Sequence, residues 1–376
     1  MKNFLFATAV LMSTIVGVGI FGLPYSGAQS GFLVAAIFLF ILTLIMVFLH
    51  LLYGEIVSRT KEKHRLAGYA GHYLGRWGKR IVAGSIIISF YGSLLAYIII
   101  GGNFLHTIFS SLINVPSIVF NLIFFVIGAI VIYFGIRLIA ELDFLMGLFL
   151  IFIVLLIFYF GFPQIDIDNL KTVNLNNFFL PYGAILYALA GAVAIPEIKE
   201  IFSQDGKRYK KAIILGTLIP AILYLIFMVT VISLTGSQTS VEAVQGLTDL
   251  LGKKVILPSA LFGFLATISS FFVVGLSLKK TFWYDFKVNK NLSWLLVCSV
   301  PLVLFVLGFR AFIPIIVILG GLMGAIEGTA IVLIYKKAKK HGIQKADYSL
   351  KVPDILRYIV ILIFVLGFIS ILISMI

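Results

Sequence analysis

Residues 15–24 read IVGVGIFGLP and lie inside the first apolar segment of the chain. Gly17, Gly19 and Gly22 weaken a helix and Pro24 removes a backbone donor, so we expect this segment to break at membrane depth. Unpaired backbone groups are costly in hydrocarbon, and an irregular backbone persists there only when it is buried in protein or lines a cavity. The stretch therefore predicts half of a binding site.

The composition places the chain among polytopic membrane proteins. Of its 376 residues, 61% are hydrophobic and 12% are charged, a balance typical of membrane helices rather than of soluble domains. The net charge of +14 comes mostly from short polar loops between apolar runs, so it predicts orientation in a bilayer and no nucleic-acid partner. The single cysteine, Cys298, allows neither a disulfide nor a zinc framework within the chain.

Eleven apolar segments are long enough to cross a bilayer. They cover residues 4–28, 31–57, 81–110, 116–136, 142–161, 177–203, 211–235, 255–278, 292–309, 312–335 and 355–375. With a cytoplasmic N-terminus, the alternating loops put 25 Lys and Arg residues inside and 4 outside, as the positive-inside rule requires. We therefore expect one all-α domain over residues 1–376 in the cell (inner) membrane, with an extracytoplasmic C-terminus.

The sixth segment repeats the irregularity of the first. Residues 187–197 read YALAGAVAIPE, a patch of small residues followed by Pro196 in a span that runs in the opposite direction. Two interrupted helices five segments apart indicate an inverted repeat. Residues 1–161 would form the first repeat, residues 177–335 the second, and residues 355–375 an additional C-terminal helix.

A pair of broken helices has a defined chemistry at the membrane midplane. Helix N-termini, expected to begin near residues 23–24 and 195–196, present free N–H groups that suit a carboxylate. The preceding half-helices end in free carbonyls, which suit an ammonium group or an alkali cation. A zwitterionic α-amino acid satisfies both ends.

The motif at residues 17–24, GVGIFGLP, resembles the G-x-G-I-x-G-L-P signature of the amino acid/auxin permease (AAAP) family in the amino acid–polyamine–organocation (APC) superfamily. The eleven segments, the basic second loop and the IPE motif of helix six extend this resemblance over nearly the whole chain. It implies a LeuT-like 5+5 fold, with broken helices 1 and 6. It also implies that the Gly17 and Gly19 amides hold the carboxylate of the substrate, and that carbonyls of both breaks hold its amine.

The resemblance implies a substrate site that includes two tyrosines, one as an aromatic side chain on helix three and one as a lid before the second break. For each tyrosine, packing or contact with lipid is the alternative interpretation. The implied substrate-binding residues are Thr14, Ile15, Gly17, Val18, Gly19, Ile20, Tyr97, Tyr187, Ala188, Ala190 and Gly191.

A sodium site is also implied, because LeuT-type sodium symporters place a hydroxyl pair of helix eight beside carbonyls of helix one. Oxygen ligands suit a hard cation, although membrane serines also bond to their own helix. The fifth segment contains no lysine, so the proton-driven variant that fills this site with an ammonium group is not supported. The candidate ligands are Ser13, Val16, Ala266, Ser269 and Ser270.

The acidic residues offer a second route to ion coupling. Glu327 lies well inside the tenth segment, where it is either functional or a protonated structural group. For Glu197 the helix dipole is one interpretation and a role in proton transfer is the alternative. We expect Glu55 to form an ion pair with Arg59. The five histidines show no metal-ligand spacing and no catalytic motif is present, so we expect no enzyme and no cofactor beyond coupling Na⁺ or H⁺.

The sequence therefore predicts a secondary active transporter, a symporter that works by alternating access and imports an L-amino acid. Hydrophobic and aromatic amino acids are among the candidates, and we expect a monomer. The alternatives are another cargo on the same fold, such as a nucleobase or a quaternary amine, and, more remotely, an intramembrane enzyme or sensor.

Overall fold

The computed structural model describes residues 2–110, 112–134, 139–202, 205–342 and 344–374, and all regular structure within them is helical. Six helices form the first half of the chain: α1 (Lys2–Ile15), α2 (Gly19–Ser30), α3 (Phe32–Arg59), α4 (Leu66–Phe109), α5 (Ser117–Phe134) and α6 (Ile139–Gly161). Nine follow: α7 (Leu180–Ala188), α8 (Ile195–Ile201), α9 (Gly206–Thr235), α10 (Thr248–Leu251), α11 (Lys253–Lys280), α12 (Lys290–Val306), α13 (Phe312–Leu322), α14 (Thr329–His341) and α15 (Asp354–Ser374).

Each predicted apolar segment coincides with one helix or with a pair of helices. Within the described residues, seven helices are long and apolar enough to span a membrane, and eight when α1 and α2 are counted as one bent span. The helices α7, α8 and α12 are shorter, with 9, 7 and 17 residues. At α6, the apolar helix with described side chains covers Ile151–Gln164. The protein is a multi-pass membrane protein, and the count of eleven spans stays a prediction.

Two of the long helices are locally irregular. At about 1.5 Å per residue, the 44 residues of α4 would measure about 66 Å, far more than a bilayer requires. Gly75, with φ of +82°, separates a short first part of α4 from the long remainder. A π-helical segment at Met323–Gly328 joins α13 to α14 and carries Glu327.

The first helix breaks earlier than the sequence predicted. We expected the second half to begin near residues 23–24, but α2 begins at Gly19 and contains Pro24. The glycines therefore set the break, and Pro24 is accommodated within the helix, as prolines in membrane helices often are. In the second broken helix, α8 begins at Ile195 with Pro196 directly after it, as predicted.

The broken helices lie inside the bundle. Ten of the twelve residues of α2 are buried, so protein encloses this helix on nearly all sides. Around it α3 packs on α9, α4 on α11 and α5 on α12. The last helix, α15, is largely exposed and packs mainly against α13 and the π-helical segment. The breaks therefore lie in the interior of the bundle.

Candidate functional site

The two helix breaks cross in direct contact. A Cβ atom on Gly19 would lie 2.6 Å from the Cα of Ala188, closer than real Cβ atoms come to a neighbour. A Cβ atom on Gly191 would likewise collide with the side chain of Ile15. Glycine at these two positions is what lets the broken segments approach each other.

The first break leaves amide groups free. The chain bends by 55° between α1 and α2. The Val16 amide still bonds to the Met12 carbonyl at 2.7 Å, and the Ile20 amide donates to the Gly17 carbonyl at 3.3 Å. In the part of the chain that the structure describes, no backbone carbonyl accepts from the amides of residues 17–19. These amides lie at the N-terminus of α2, a favourable place for an anion.

The second break has the same character. The Leu189 amide bonds to the Ile185 carbonyl at 2.9 Å, and the Ala190 amide donates to the Tyr187 carbonyl at 3.3 Å. A short 3₁₀ turn at Ala192–Ala194 then leads into α8. Among the described residues the amides of residues 191–193 also bond to no backbone carbonyl. Both breaks therefore supply donors and helix-end carbonyls at one crossing.

Tyr224 of α9 ties the two breaks together. Its fully buried hydroxyl lies 2.7 Å from the carbonyl oxygen of Ile15 and 3.0 Å from that of Ala188. A phenol has one proton and a carbonyl oxygen has two lone pairs, so both carbonyls retain capacity for a further donor. Our sequence analysis missed Tyr224; the available signal was a hydroxyl in the middle of an otherwise apolar segment.

The two predicted site tyrosines lie together. The Tyr187 hydroxyl donates to the Oγ of Ser93 at 3.1 Å, and the Tyr97 side chain lies beside that of Tyr187. Ser93 and Tyr97 belong to α4 and Tyr187 to α7, so this cluster joins α4 to the second broken helix. Ser93 was not among the predicted residues.

The remaining predicted substrate residues follow the backbone of the breaks. The Thr14 hydroxyl is used locally, because it donates to the Val10 carbonyl at 2.8 Å. Ile20 is buried, with 1% of its surface exposed, and Val18 is buried as well. Ala190 lies between α7 and the 3₁₀ turn. These residues contribute backbone groups and apolar packing at the crossing.

Helix α11 reaches the first break. A Cβ atom on Gly17 would lie 3.9 Å from the Ser270 hydroxyl oxygen. The Ser13 hydroxyl donates to the Val10 carbonyl at 3.0 Å, so Ser13 could offer its carbonyl to an ion. Ala266 is buried and Ser269 is half-buried in the same part of α11. Hydroxyl and carbonyl oxygens at this place fit the ligand preference of a hard cation.

Glu327 belongs to a different contact. The Ser85 hydroxyl of α4 donates to its Oε1 at 3.2 Å. Ser85 precedes Ser93 by eight residues, about 12 Å along the helix. Glu327 is therefore attached to α4 about two turns away from the tyrosine cluster.

Ion pairs hold the short helix α8. Its Lys199 lies 2.6 Å from the carboxylate of Asp347, Glu197 lies 3.4 Å from Arg65, and Glu200 lies 3.0 Å from Lys63. All three partners belong to loops outside α8. The half-helix that follows the second break is thus tied to two separate loops by its own charges.

The loop that contains Asp347 also binds α3. Glu55 forms the predicted pair with Arg59 at 2.7 Å and accepts from the Leu350 amide at 2.7 Å. The Tyr348 hydroxyl donates to the Leu51 carbonyl at 2.6 Å. Burial raises the pKa of the Tyr348 phenol well above its ordinary value, so this donor stays protonated. We name residues 344–352 the inner strap.

A sequence profile of the tryptophan/tyrosine permease family matches residues 1–373. The chain belongs to the tryptophan/tyrosine permease family. The permease is therefore an amino acid transporter, and it is not an enzyme.

Known proteins agree with this assignment in sequence and in fold. The permease is 24% identical to glutamine transporter 2 of Aliivibrio fischeri, over 73% of its own chain and 74% of the relative. It is also 24% identical to the tyrosine-specific transport system 1 of Haemophilus influenzae, over 72% of its chain and 71% of the relative.

Two solved structures of the nucleobase-cation-symport-1 family transporter Mhp1 share the fold of the permease. The inward-facing form has a TM-score of 0.71 at 14% identity and covers 99% of the permease and 88% of Mhp1. The closed form, with bromovinylhydantoin bound, has a TM-score of 0.66 at 15% identity and covers 98% and 89%. The permease thus has a LeuT-like fold.

Proposed function

We propose that the permease imports an L-amino acid with an aromatic or hydrophobic side chain by cation-coupled symport and alternating access. The observation that carries this proposal is the crossing of the two breaks. Free amides of residues 17–19 and the carbonyls of Ile15 and Ala188 lie at one buried place. The carboxylate binds the amides at the N-terminus of α2, and the ammonium group donates to the carbonyls.

The side chain of the substrate lies toward the tyrosine cluster. Tyr97 and Tyr187 present aromatic surface and hydroxyls on the face where α4 meets α7. Phe21 of α2 packs edge-on against Phe104 of α4, with 4.8 Å between ring centroids. Aromatic surface favours an aromatic ligand through offset and edge-to-face contacts. The family, and a relative that is named for tyrosine transport, support the same substrate class.

A five-plus-five inverted repeat explains how the crossing is built. Under such a repeat Ile15 and Ala188 are equivalent helix ends, and Gly19 and Gly191 follow them by four and three residues. Ile15 contacts Gly191 while Ala188 contacts Gly19, which is the reciprocal pattern that a two-fold axis requires. The packing of α3 on α9, α4 on α11 and α5 on α12 supports the same axis.

The distribution of basic residues supports an orientation of the permease in the membrane. The oxygen atoms near the first break support a site for the coupling ion. The excess of Lys and Arg in alternate loops supports a cytoplasmic N-terminus and an extracytoplasmic C-terminus. We assign a sodium site to the Ser13 and Val16 carbonyls with Ala266, Ser269 and Ser270. The approach of Ser270 to Gly17 supports this assignment.

Uptake by purified permease in liposomes tests the proposal. All twenty amino acids compete against labelled tyrosine at two pH values, with and without sodium. We expect competition mainly from aromatic and large aliphatic L-amino acids, and accumulation only with an ion gradient. Absence of accumulation and of counterflow with every amino acid would contradict the proposal. Thermal stabilisation by betaine or by a nucleobase, and by no amino acid, would assign a different cargo.

A further inference from the structure

His50 lies in α3, and its imidazole is fully buried. The substrate site described above does not include this residue. Its Nδ1 atom lies 3.0 Å from the Oγ1 atom of Thr217 in α9. An ionisable side chain within a membrane span is costly and is by default a candidate for ion or proton binding. The hydrogen bonds around the ring define what it can bind.

The bonds of Thr217 favour one tautomer of the ring. The Thr217 hydroxyl donates to the Ile213 carbonyl at 2.9 Å. In this arrangement Thr217 accepts from His50. We therefore assign the hydrogen of the neutral imidazole to Nδ1, which leaves an unshared lone pair on Nε2.

This lone pair has no partner. Nε2 of His50 is fully buried and, within the described residues, lies within hydrogen-bonding distance of no donor. A buried polar atom without a partner loses the hydrogen bonds that it would make to water, so it destabilises this conformation. The conformation seen here thus keeps a basic nitrogen in the membrane, unprotonated and without a bond.

No charged group lies against the ring from the neighbouring helices. The helices α2, α7, α8, α9 and α14 pack against α3. The titratable side chains of these five helices fall into two groups. The first group forms hydrogen bonds or ion pairs with residues other than His50: Tyr182, Tyr187, Glu197, Lys199, Glu200, Arg208, Tyr209, Tyr224, Tyr335, Lys336 and Lys339. The others are Tyr25, Lys207, Lys210, Lys211, Lys337, Lys340 and His341.

The charged members of the second group lie at helix ends. The three lysines of α9 are within its first six residues, and the α14 residues lie at its C-terminus beside Gly342, whose added Cβ would contact Arg59. Arg59 is nine residues from His50, about 13 Å along α3. On α3 itself Tyr53 packs edge-on against Tyr69, and Glu55 bonds to Arg59. The inner strap also contacts α3: its Tyr348 donates to the Leu51 carbonyl, its Asp347 pairs with Lys199, and its Lys345 and Lys351 are exposed. Among the described residues, Thr217 is the one hydrogen-bond partner of the His50 side chain.

We propose that His50 Nε2 binds the proton that drives transport, an inference that rests on the proposed symport. One proton adds to the lone pair and leaves again, and no other bond forms or breaks. The resulting imidazolium needs an acceptor for its Nε2–H, which this conformation does not offer. Protonation therefore favours another conformation of the bundle, and this coupling between proton binding and conformation is what symport requires.

Thr217 connects His50 to the substrate site. Thr217 and Tyr224 are seven residues apart on α9, two turns on the same face and about 10 Å in distance. Tyr224 holds the carbonyls of Ile15 and Ala188. A shift of α9 on protonation of His50 therefore moves the Tyr224 hydroxyl and, with it, both helix breaks. The proton site at His50 and the proposed sodium site can be tested separately, because a proton gradient and a sodium gradient can be applied one at a time.

Uptake driven by an inward proton gradient, with equal sodium concentrations on both sides of the membrane, tests the proposal. An inward gradient of one pH unit supports about tenfold accumulation for one proton per substrate. In wild-type liposomes we expect this accumulation. In His50→Asn the side-chain amide can still donate to Thr217 but has no basic nitrogen, so accumulation falls to the external concentration while counterflow exchange persists. His106→Asn, at the far end of α4, should accumulate like wild type.

Several results would overturn the assignment. One is full accumulation by His50→Asn, and another is loss of accumulation in Glu327→Gln but not in His50→Asn. The third is a wild type that accumulates only when a sodium gradient is applied. In this third case the proposed symport itself stands. Absence of all uptake and counterflow in wild type refutes the symport instead.

A second variant covers the case in which His50→Asn does not fold. Thr217→Val removes the acceptor that stabilises the charged ring more than the neutral one. The pH of half-maximal uptake should fall, whereas Thr217→Ser keeps it. An unchanged pH profile in Thr217→Val would also contradict the proposal.

Discussion

The Tyr224 hydroxyl lies 2.7 Å from the Ile15 carbonyl oxygen, at the exact end of α1. The same hydroxyl lies 3.0 Å from the Ala188 carbonyl, at the end of α7. One side chain of α9 therefore fixes the separation of two helix ends that belong to different halves of the chain.

Removing this hydroxyl should weaken substrate binding. Tyr224→Phe removes the one hydroxyl proton that lies between two buried carbonyls, which lowers stability by about 1–3 kcal/mol. It also lets the breaks move apart, so the KM for the amino acid rises. Tyr182→Phe is the matched control, because it loses a similar bond, 3.0 Å to the Ile363 carbonyl of α15. Thermal melting should fall in both variants, and equal KM values in the two would refute the role of Tyr224.

The crossing itself should not tolerate a side chain. Gly19→Ala places a methyl group against the backbone of Ala188, and overpacking of this kind costs about 1–3 kcal/mol. We expect loss of uptake and a lower melting temperature. Gly84→Ala in α4 is the control, since no atom lies within 4 Å of its added Cβ. Normal uptake by Gly19→Ala would show that the breaks need not touch.

The sodium site has its own test in α11. Ser270→Ala removes a hydroxyl beside the first break, and loss of a bond to a charged group should raise the sodium concentration for half-maximal uptake about tenfold or more. Ser259→Ala in the same helix removes a buried hydroxyl that bonds only to the Val255 carbonyl at 2.7 Å. Identical sodium dependence of both variants would rule out Ser270 as a ligand.

The pair between α8 and the inner strap should contribute measurably to stability. The side chains of Lys199 and Asp347 are 20% and 15% exposed, whereas those of Lys171 and Asp168 are 70% and 79% exposed. A double-mutant cycle with alanine should give a coupling of about 1.5–3 kcal/mol for the first pair and below about 1 kcal/mol for the second. Equal melting shifts in the two cycles would contradict this difference in burial.

The sequence predicted those features that depend on local backbone chemistry. Gly17 and Gly19 predicted a break, and Pro196 predicted the start of α8. Pro24 misled the prediction of where α2 begins, because the surroundings of a membrane helix compensate a missing donor. Tyr224, Ser93 and the pair of His50 with Thr217 were not predicted. Their roles arise from contacts between helices far apart in sequence, which no periodicity or motif contains.

The contact of Gly19 with Ala188 is made by backbone and a methyl group alone. Its geometry does not depend on which side chains line the rest of the site, so changes at Ser93, Tyr97 or Tyr187 can accumulate without disturbing it. In evolutionary terms, the proposed site separates selectivity, carried by side chains of α4 and Tyr187, from the holding of the common amino acid group, carried by the backbone of the breaks. A few substitutions on α4 should therefore be enough to redirect this permease to a new cargo, in nature or by directed selection.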